Sequence, residues 1–243
     1  MQPSKVVSQE EWIAARRALL EKEKVHMRAG DALAAERRAL PWVKVDKAYV
    51  FDTESGPKSL AELFDGASQL IVHHLMYAPD WSAACPGCTF QAEHIDGPAP
   101  HLEQHDVRVI AVSSAPLEKL LAYRARMGWR FAWVSPRGGD FNRDFKVTFT
   151  ADEVAKGRID YNFGTIETDP RYVERELPGV SVFYKEEAGE VFHTYSTYAR
   201  GLDALLGANH YLDIAPEGRN NGAYPNWPRR RDEYDLAAAP AHG

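Results

Sequence analysis

The two cysteines of this 243-residue chain, Cys85 and Cys88, are separated only by Pro86 and Gly87. Thiols at this spacing can close a disulfide with each other and exchange it with the disulfide of another molecule. Thiolates are also soft ligands for metal ions. Because the chain has no other cysteine, the pair cannot belong to a disulfide-stapled scaffold of the kind that small secreted domains use. The spacing therefore indicates either redox chemistry or metal binding.

The residues after Cys85 predict a helix that begins at this cysteine and continues towards Gly97. Pro86 suits the first turn of a helix, where its missing N–H costs no hydrogen bond and its ring stiffens the loop. The unpaired N–H groups and the dipole at a helix N-terminus stabilise a thiolate, which is the attacking species in disulfide exchange. We therefore expect Cys85 to be the nucleophile and Cys88, one turn along, to resolve the mixed disulfide.

Apolar runs on both sides of the pair predict the sheet that holds it. Residues 70–77 are predicted to form a buried central strand, and Val107–Val112 a second strand. A helix over residues 116–127 and a hairpin formed by residues 180–184 and 191–195 follow. Because parallel strands joined by a helix require a crossover, this order indicates an α/β protein with a mixed central sheet flanked by helices, as in the thioredoxin fold.

The chain is expected to have three parts around this sheet. Residues 1–44 form an N-terminal helical arm that is interrupted at Gly30, and residues 45–215 form the thioredoxin-like domain. An insertion at about 136–176 precedes the strand that Pro178 would open, and residues 216–243 form an extended C-terminal tail. The arm is expected to pack on the body of the protein, and a homodimer contact is the alternative role.

Several short motifs resemble those of a bacterial thioredoxin-like family of unknown function, over nearly all of residues 12–234. The most specific motif is His193-Thr194-Tyr195-Ser196-Thr197-Tyr198-Ala199-Arg200-Gly201, and the others are Leu40-Pro41-Trp42-Val43, Pro116-Leu117, Arg126-Met127-Gly128-Trp129 and Asp140-Phe141-Asn142. The resemblance implies a thioredoxin-like fold and a Cys-Pro-x-Cys site, and it implies no established substrate. In proteins of this fold a cis-proline before the antiparallel strand pair faces the dithiol, and Pro178 stands at that place.

Further side chains are expected to support the pair. Trp81 would shield the dithiol from water, and Tyr195 and Arg200, which follow a strand, would line the site. Simple packing is the alternative for Trp81. For His193 the alternatives are a metal ligand and a hydrogen-bonded structural histidine.

Ser82 supports a second hypothesis, a peroxiredoxin-like thiol peroxidase. Peroxiredoxins place a Thr or Ser three residues and a proline seven residues before the reactive cysteine. Ser82 meets the first requirement, whereas Pro79 lies six residues before Cys85. The arginine that would polarise a peroxide is not determined by the sequence, and the candidates are Arg124, Arg126, Arg143 and Arg200.

Two metal-binding hypotheses use the same cysteines. The residues with the spacing of a zinc finger are Cys85, Cys88, His101 and His105. The glycine and prolines of residues 97–100 fall where a finger needs a continuous helix, which argues against zinc. Copper-binding relatives of thioredoxin pair a cysteine motif with one distant histidine, here His193, but their cysteines are usually one residue further apart. We therefore expect no bound metal and no cofactor.

The composition limits the partners and the compartment. The net charge is −6, which gives no general affinity for nucleic acid or for anionic membranes. Residues 1–5 lack the apolar core that a signal peptide needs, and no run of about 18 apolar residues follows, so the cytoplasm is expected. The basic run at residues 229–231 is expected to be solvated, because acidic residues at 232, 233 and 235 balance its charge.

The hypothesis that these patterns favour is a thiol–disulfide oxidoreductase. Cys85 would attack a disulfide of a protein or a small molecule, and Cys88 would release the product. A peroxiredoxin-like peroxidase and a non-enzymatic copper-binding protein are the alternatives.

Overall fold

A computed structural model of the protein describes residues 5–168, 176–219 and 228–234. Residues 169–175 of the predicted insertion lie outside this description, as do residues 220–227 and 235–243 of the predicted tail. The chain divides into two units, Met1–Trp42 and Val43–Gly243.

The first unit contains one continuous helix, α1, which covers Gln9–Arg38. Ser8 and Glu11 form the capping box that their spacing predicts, since Glu11 N–H donates to Ser8 Oγ over 3.2 Å and Ser8 N–H donates to Glu11 Oε2 over 3.0 Å. The predicted interruption at Gly30 is wrong. A glycine inside a helix costs only about 1 kcal/mol relative to alanine, and the strong helix formers on both sides of Gly30 outweigh it. None of the residues of Gln9–Arg38 is buried.

The second unit is built on a six-stranded mixed sheet. The strands among the described residues are β1 (Val43–Lys44), β2 (Val50–Thr53), β3 (Gly56–Ser59), β4 (Gln69–His74), β5 (Val107–Val112), β6 (Ala132–Val134), β7 (Arg158–Tyr161), β8 (Gly164–Glu167), β9 (Gly179–Lys185) and β10 (Val191–Tyr198). The sheet has the order β1-β10-β9-β4-β5-β6, in which β4, β5 and β6 are parallel and β9 is antiparallel to both β4 and β10. The β2–β3 and β7–β8 hairpins form separate two-stranded sheets.

Helices connect the parallel strands, as the sequence predicts. The α-helices among the described residues of this unit are α2 (Pro86–Ala92), α3 (Ala99–Glu103), α4 (Leu117–Met127), α5 (Phe141–Asp144), α6 (Ala151–Ala155) and α7 (Gly207–Ile214). Gly128 ends α4 in the left-handed region, at φ 71°, which a glycine adopts without strain. With α2 and α3 between β4 and β5, and α4 between β5 and β6, the topology confirms the predicted thioredoxin-like α/β fold. No helix that the structure describes has the length and apolar character needed to cross a membrane.

Apolar clusters cover both faces of the sheet, because alternate residues of a strand point to opposite sides. Ile110 and Val112 of β5 belong to one buried cluster, and Ala111 between them belongs to the other. The second of these clusters contains Cys88 and an aromatic group, which we call the aromatic cluster: Tyr77, Tyr123, Trp129, Phe131 and Trp133. The helix that carries the cysteines is therefore held on the face of the sheet that the aromatic cluster covers.

Candidate functional site

The cysteine pair lies at the start of α2, as its sequence pattern predicts. Cys85 is the N-cap residue and Pro86 is the first residue of the helix. The Cys85 N–H donates to the carbonyl of Met76 over 3.0 Å, and the Cys85 carbonyl accepts the N–H of Thr89 over 2.9 Å. The first bond joins the start of the helix to the segment that leaves β4, so the sheet determines where Cys85 sits.

The two sulfur atoms have different surroundings. Both thiols are free; Cys85 is half-buried, and Cys88 is only 3% exposed. A hydrogen bond joins the two thiols, and Met76 N–H donates to Cys88 Sγ over 3.3 Å. The hydrogen bond with Cys85, burial and the charge of Cys85 together raise the pKa of Cys88 well above the ordinary value of a thiol. Cys88 is therefore protonated near neutral pH, and Cys85 is the sulfur that solvent can reach.

The loop before Cys85 is tied to the domain. Lys119 of α4 donates through Nζ to the carbonyls of Pro79, over 2.8 Å, and of Trp81, over 2.5 Å. Trp81 is half-buried and packs against the cluster that contains Cys88, whereas Ser82 is exposed. Trp81 and Cys85 thus pack against the same buried cluster, and Ser82 follows Trp81 along the chain.

Pro178 lies at the same end of the sheet as the last residue of β4, after which the chain continues to Cys85. It precedes Gly179, the first residue of β9, which pairs with His74 at the end of β4. The Pro178 carbonyl accepts the hydroxyl of Tyr161 over 2.6 Å. A side chain at position 179 would not fit, because an added Cβ would lie 2.7 Å from Cδ1 of Tyr198. The backbone after Pro178 is therefore packed closely against the hairpin.

Glu176, two residues before Pro178, was not among the site residues predicted from the sequence. Its side chain is buried and accepts the hydroxyl of Thr148 over 3.1 Å. Thr148 Oγ1 lies 3.2 Å from Ser114 Oγ, which accepts the side-chain amide of Asn142 over 3.1 Å. The negative charge of Glu176 also raises the pKa of Cys88. The only local signal for this residue is a carboxylate two positions before Pro178, which is too weak to predict burial.

His193 belongs to a series of hydrogen-bonded side chains on neighbouring strands of the sheet. Its Nε2 is 2.8 Å from Ser196 Oγ and 3.0 Å from the carbonyl of Tyr195. Ser196 Oγ is 2.9 Å from Ser181 Oγ, which in turn is 2.9 Å from His74 Nε2. Burial lowers the pKa of His193. These bonds correspond to the structural role that the sequence analysis named as one alternative for this histidine.

The predicted site residues Arg200 and Tyr195, and the candidate arginines for a peroxide, have the following surroundings. The Arg200 side chain is 89% exposed and lies 3.9 Å from Asp203, and Tyr195 is half-buried on β10. The other candidate arginines for polarising a peroxide lie in ion pairs: Arg124 with Glu54, Arg126 with Asp232 and Glu233, and Arg143 with Glu153.

The structure does not assemble the zinc or copper ligand sets. Within residues 5–168, 176–219 and 228–234, no group of three or more His, Cys, Asp or Glu side chains could hold a metal ion. As expected, no continuous helix runs through His101 and His105, because α2 ends at Ala92 and the short helix α3 covers only Ala99–Glu103. Its prolines occupy the N-cap and the first turn, where proline is tolerated.

Two adjacent histidines of β4 are buried in the neutral form. Burial lowers the pKa of His73 to about 4, and burial together with the nearby His73 lowers the pKa of His74 to about 3. His73 Nδ1 is 2.8 Å from Gln91 Nε2, so this ring joins β4 to α2. Because an unfolded chain protonates histidine near pH 6.5, acidification below that pH favours the unfolded state.

We expect His73→Gln to reduce the acid sensitivity of the protein. In the wild type, stability is lost as the pH falls from 6.5 towards about 4, where the folded-state pKa of His73 lies. The variant lacks this titration, so the drop in unfolding free energy between pH 7 and pH 5 should shrink by about 2 kcal/mol. Urea unfolding at both pH values measures the difference. The exposed His101→Gln is the matched control and should leave the drop unchanged; an equal drop in His73→Gln and wild type would contradict the prediction.

A family model and several solved structures are similar to this chain. The sequence model of a family described as "Bacterial protein of unknown function (DUF899)" matches residues 1–234. A search of curated proteins gives no significant match. Among solved structures, peroxidoxin BcpB from Mycobacterium tuberculosis is 13% identical, with a TM-score of 0.46 over 69% of this chain and 94% of that one.

Two further solved structures are similar in the path of the chain. One structure of peroxiredoxin Q from Xanthomonas campestris is 16% identical, with a TM-score of 0.43 over 71% of this chain and 96% of that one. A putative thiol:disulfide interchange protein DsbE from Chlorobium tepidum is 13% identical, with a TM-score of 0.38 over 68% of this chain and 93% of that one.

Proposed function

The chain belongs to the DUF899 family of bacterial proteins of unknown function, and we propose that it is a thiol–disulfide oxidoreductase that uses Cys85 and Cys88. The observation that carries the proposal is the asymmetry of the pair. Two free thiols are hydrogen-bonded to each other, one half-buried at a helix start and the other almost completely buried. A site that first attacks and then releases a substrate needs this division between an accessible and a protected sulfur.

In the first step, the thiolate of Cys85 attacks one sulfur of the substrate disulfide. The new S–S bond joins Cys85 to the substrate, the old S–S bond breaks, and the leaving substrate sulfur takes up a proton. The N–H groups of the first helical turn, which have no partner within a helix, favour negative charge at this position. Cys88, which is protonated and buried, does not compete for the substrate.

In the second step, Cys88 loses its proton and attacks the Cys85 sulfur. This closes the Cys85–Cys88 disulfide and releases the second substrate thiol, so that two electrons pass from the protein to the substrate. One of the two protons taken up by the substrate comes from Cys88 and the other from solvent, because Cys85 begins as a thiolate. The hydrogen bond with Cys85 and the charge of Cys85 are two of the causes that raise the pKa of Cys88. Both disappear when Cys85 becomes part of the mixed disulfide. Formation of the mixed disulfide thus makes Cys88 easier to ionise when it is needed.

The surroundings of the pair supply the proposed binding groove. Pro178, at the start of β9, would shape the wall for the partner chain, and Trp81 would exclude water from the sulfur atoms. Three residues on β10 or directly after it are proposed to support the same groove: His193, Tyr195 and Arg200. The proposed substrate is a disulfide of a protein or a small molecule in the cytoplasm, and the helical arm is the proposed contact of a homodimer.

Titration of the pair and a turnover assay test the proposal together. In glutathione buffers, Cys85 and Cys88 should interconvert as one two-electron couple with a midpoint between about −270 and −120 mV. The reduced protein should reduce insulin, and its mass should fall by two hydrogens. Failure to reduce insulin would contradict the proposal. Rapid consumption of hydrogen peroxide with oxidation of Cys85 would instead favour the peroxidase, and stoichiometric copper bound through both thiols and His193 would favour the binding protein.

A further inference from the structure

Residues 228–234 lie against the helices that flank the cysteine pair, and we call them the C-terminal clamp. The expectation of a solvated basic run at residues 229–231 is wrong for Arg230, which is partly buried, and holds for Arg231, whose side chain is 57% exposed although it makes two contacts. Arg231 Nη1 lies 3.0 Å from Glu93 Oε2 just after α2, and its Nη2 donates to the carbonyl of Met127. Asp232 binds Arg126 of α4 through two contacts of 2.6 and 3.0 Å. Arg229 is exposed and follows the expectation.

Arg230 reaches from the clamp to the residue before the nucleophile. Its Nη2 and Nε donate to the carbonyl of Ala84 over 2.7 and 3.3 Å. Its Nη1 lies 2.9 Å from Glu233 Oε1, and its side chain is 18% exposed. Hydrogen bonds from a charged donor are stronger than those between neutral groups, and the partly buried position protects these from water.

This contact completes the restraint of one peptide group. The Ala84 carbonyl and the Cys85 N–H belong to the same planar peptide unit. Arg230 holds the carbonyl, and Met76 accepts the N–H over 3.0 Å. With both polar groups of the plane bonded to different parts of the fold, the plane cannot rotate freely, and the backbone from which the Cys85 side chain projects is restrained relative to α2.

We propose that Arg230 is a positioning residue for Cys85, which it holds in the orientation that disulfide closure with Cys88 requires. The inference rests on the proposed function. Arg230 acts through the Ala84–Cys85 peptide, whose carbonyl it binds. A small misplacement of reacting atoms can slow an intramolecular step by an order of magnitude or more, so removal of this restraint should affect closure most.

The closure step can be measured separately from the first attack. An aromatic disulfide such as dithiobis(nitrobenzoate) releases one coloured thiolate when Cys85 attacks and a second when Cys88 closes the pair. We expect Arg230→Gln to slow the second release at least about tenfold, and Arg230→Lys, which keeps one donor, to restore part of the rate. The exposed Arg229→Gln is the matched control and should close at the wild-type rate. The pH dependence of closure, recorded for each variant, distinguishes altered positioning from general loss of structure.

A second pair of variants covers the case in which Arg230→Gln does not fold. Arg126→Asp should release the clamp from α4 and slow closure, and adding Asp232→Arg should restore it by reversing the ion pair. Wild-type closure in a folded Arg230→Gln, or failure of the reversed pair to restore closure, would overturn the role of Arg230. Absence of the second release in the wild type would instead overturn the proposed function itself.

Discussion

Cys85→Ser is expected to abolish disulfide reduction, lowering the rate of insulin reduction by at least about 10³-fold, because a serine hydroxyl is not ionised near neutral pH and cannot form the mixed disulfide. Cys85 is the half-buried sulfur at the start of α2, and Cys88 is too deeply buried to replace it as the nucleophile. The substitution removes no buried apolar contact of the size that destabilises a core, so the melting temperature should change little. Insulin turbidity and thermal unfolding measure the two quantities.

Cys88→Ser is the informative partner of this variant. Its accessible Cys85 should still attack the substrate, but the mixed disulfide should persist because the second sulfur is absent. Intact mass measurement after mixing with an oxidised peptide should show a covalent adduct of one peptide per chain. If Cys85→Ser retained activity, or if Cys88→Ser formed no adduct, the assignment of nucleophile and resolving residue would be wrong.

Trp133→Ala is expected to cause the largest loss of stability, about 3–5 kcal/mol in the free energy of unfolding. Trp133 is almost completely buried at the centre of the aromatic cluster, with ring centroids of Tyr123 and Trp129 at 6.0 and 5.8 Å. Truncation leaves a cavity that these rigid rings cannot fill. It also removes the indole N–H that donates to Ser113 Oγ over 2.9 Å.

Trp133→Phe separates these contributions, because it keeps an aromatic ring and removes the N–H. It should lose clearly less stability than the alanine variant, as chemical denaturation of both variants can show. The aromatic cluster packs in the same core as Cys88, so Trp133→Ala should also slow disulfide closure. A loss below about 1 kcal/mol for Trp133→Ala would contradict the predicted packing role of Trp133.

Local patterns along the chain predict the dithiol, two central strands and the start of α1. The spacing of Cys85 and Cys88 with Pro86 between them predicted a dithiol at a helix start, since that preference depends on backbone groups only a few residues away. Apolar runs predicted β4 and β5, and the Ser8–Glu11 pattern predicted the start of α1. The same local patterns wrongly predicted a helix break at Gly30. The free-energy cost of one glycine inside a helix is small compared with the helix propensity of its neighbours.

Packing between distant segments decided the surroundings of the dithiol. Glu176 influences Cys88, and Arg230 binds the Ala84 carbonyl, although both lie far along the chain from the cysteines. Burial, hydrogen-bond partners and electrostatic shifts depend on distances that exist only after the chain has folded, so an isolated glutamate before Pro178 or a basic run near the C-terminus carries no local sign of its contacts. The chemistry of the pair is therefore a local property, whereas the difference between its two sulfurs is a property of the tertiary structure.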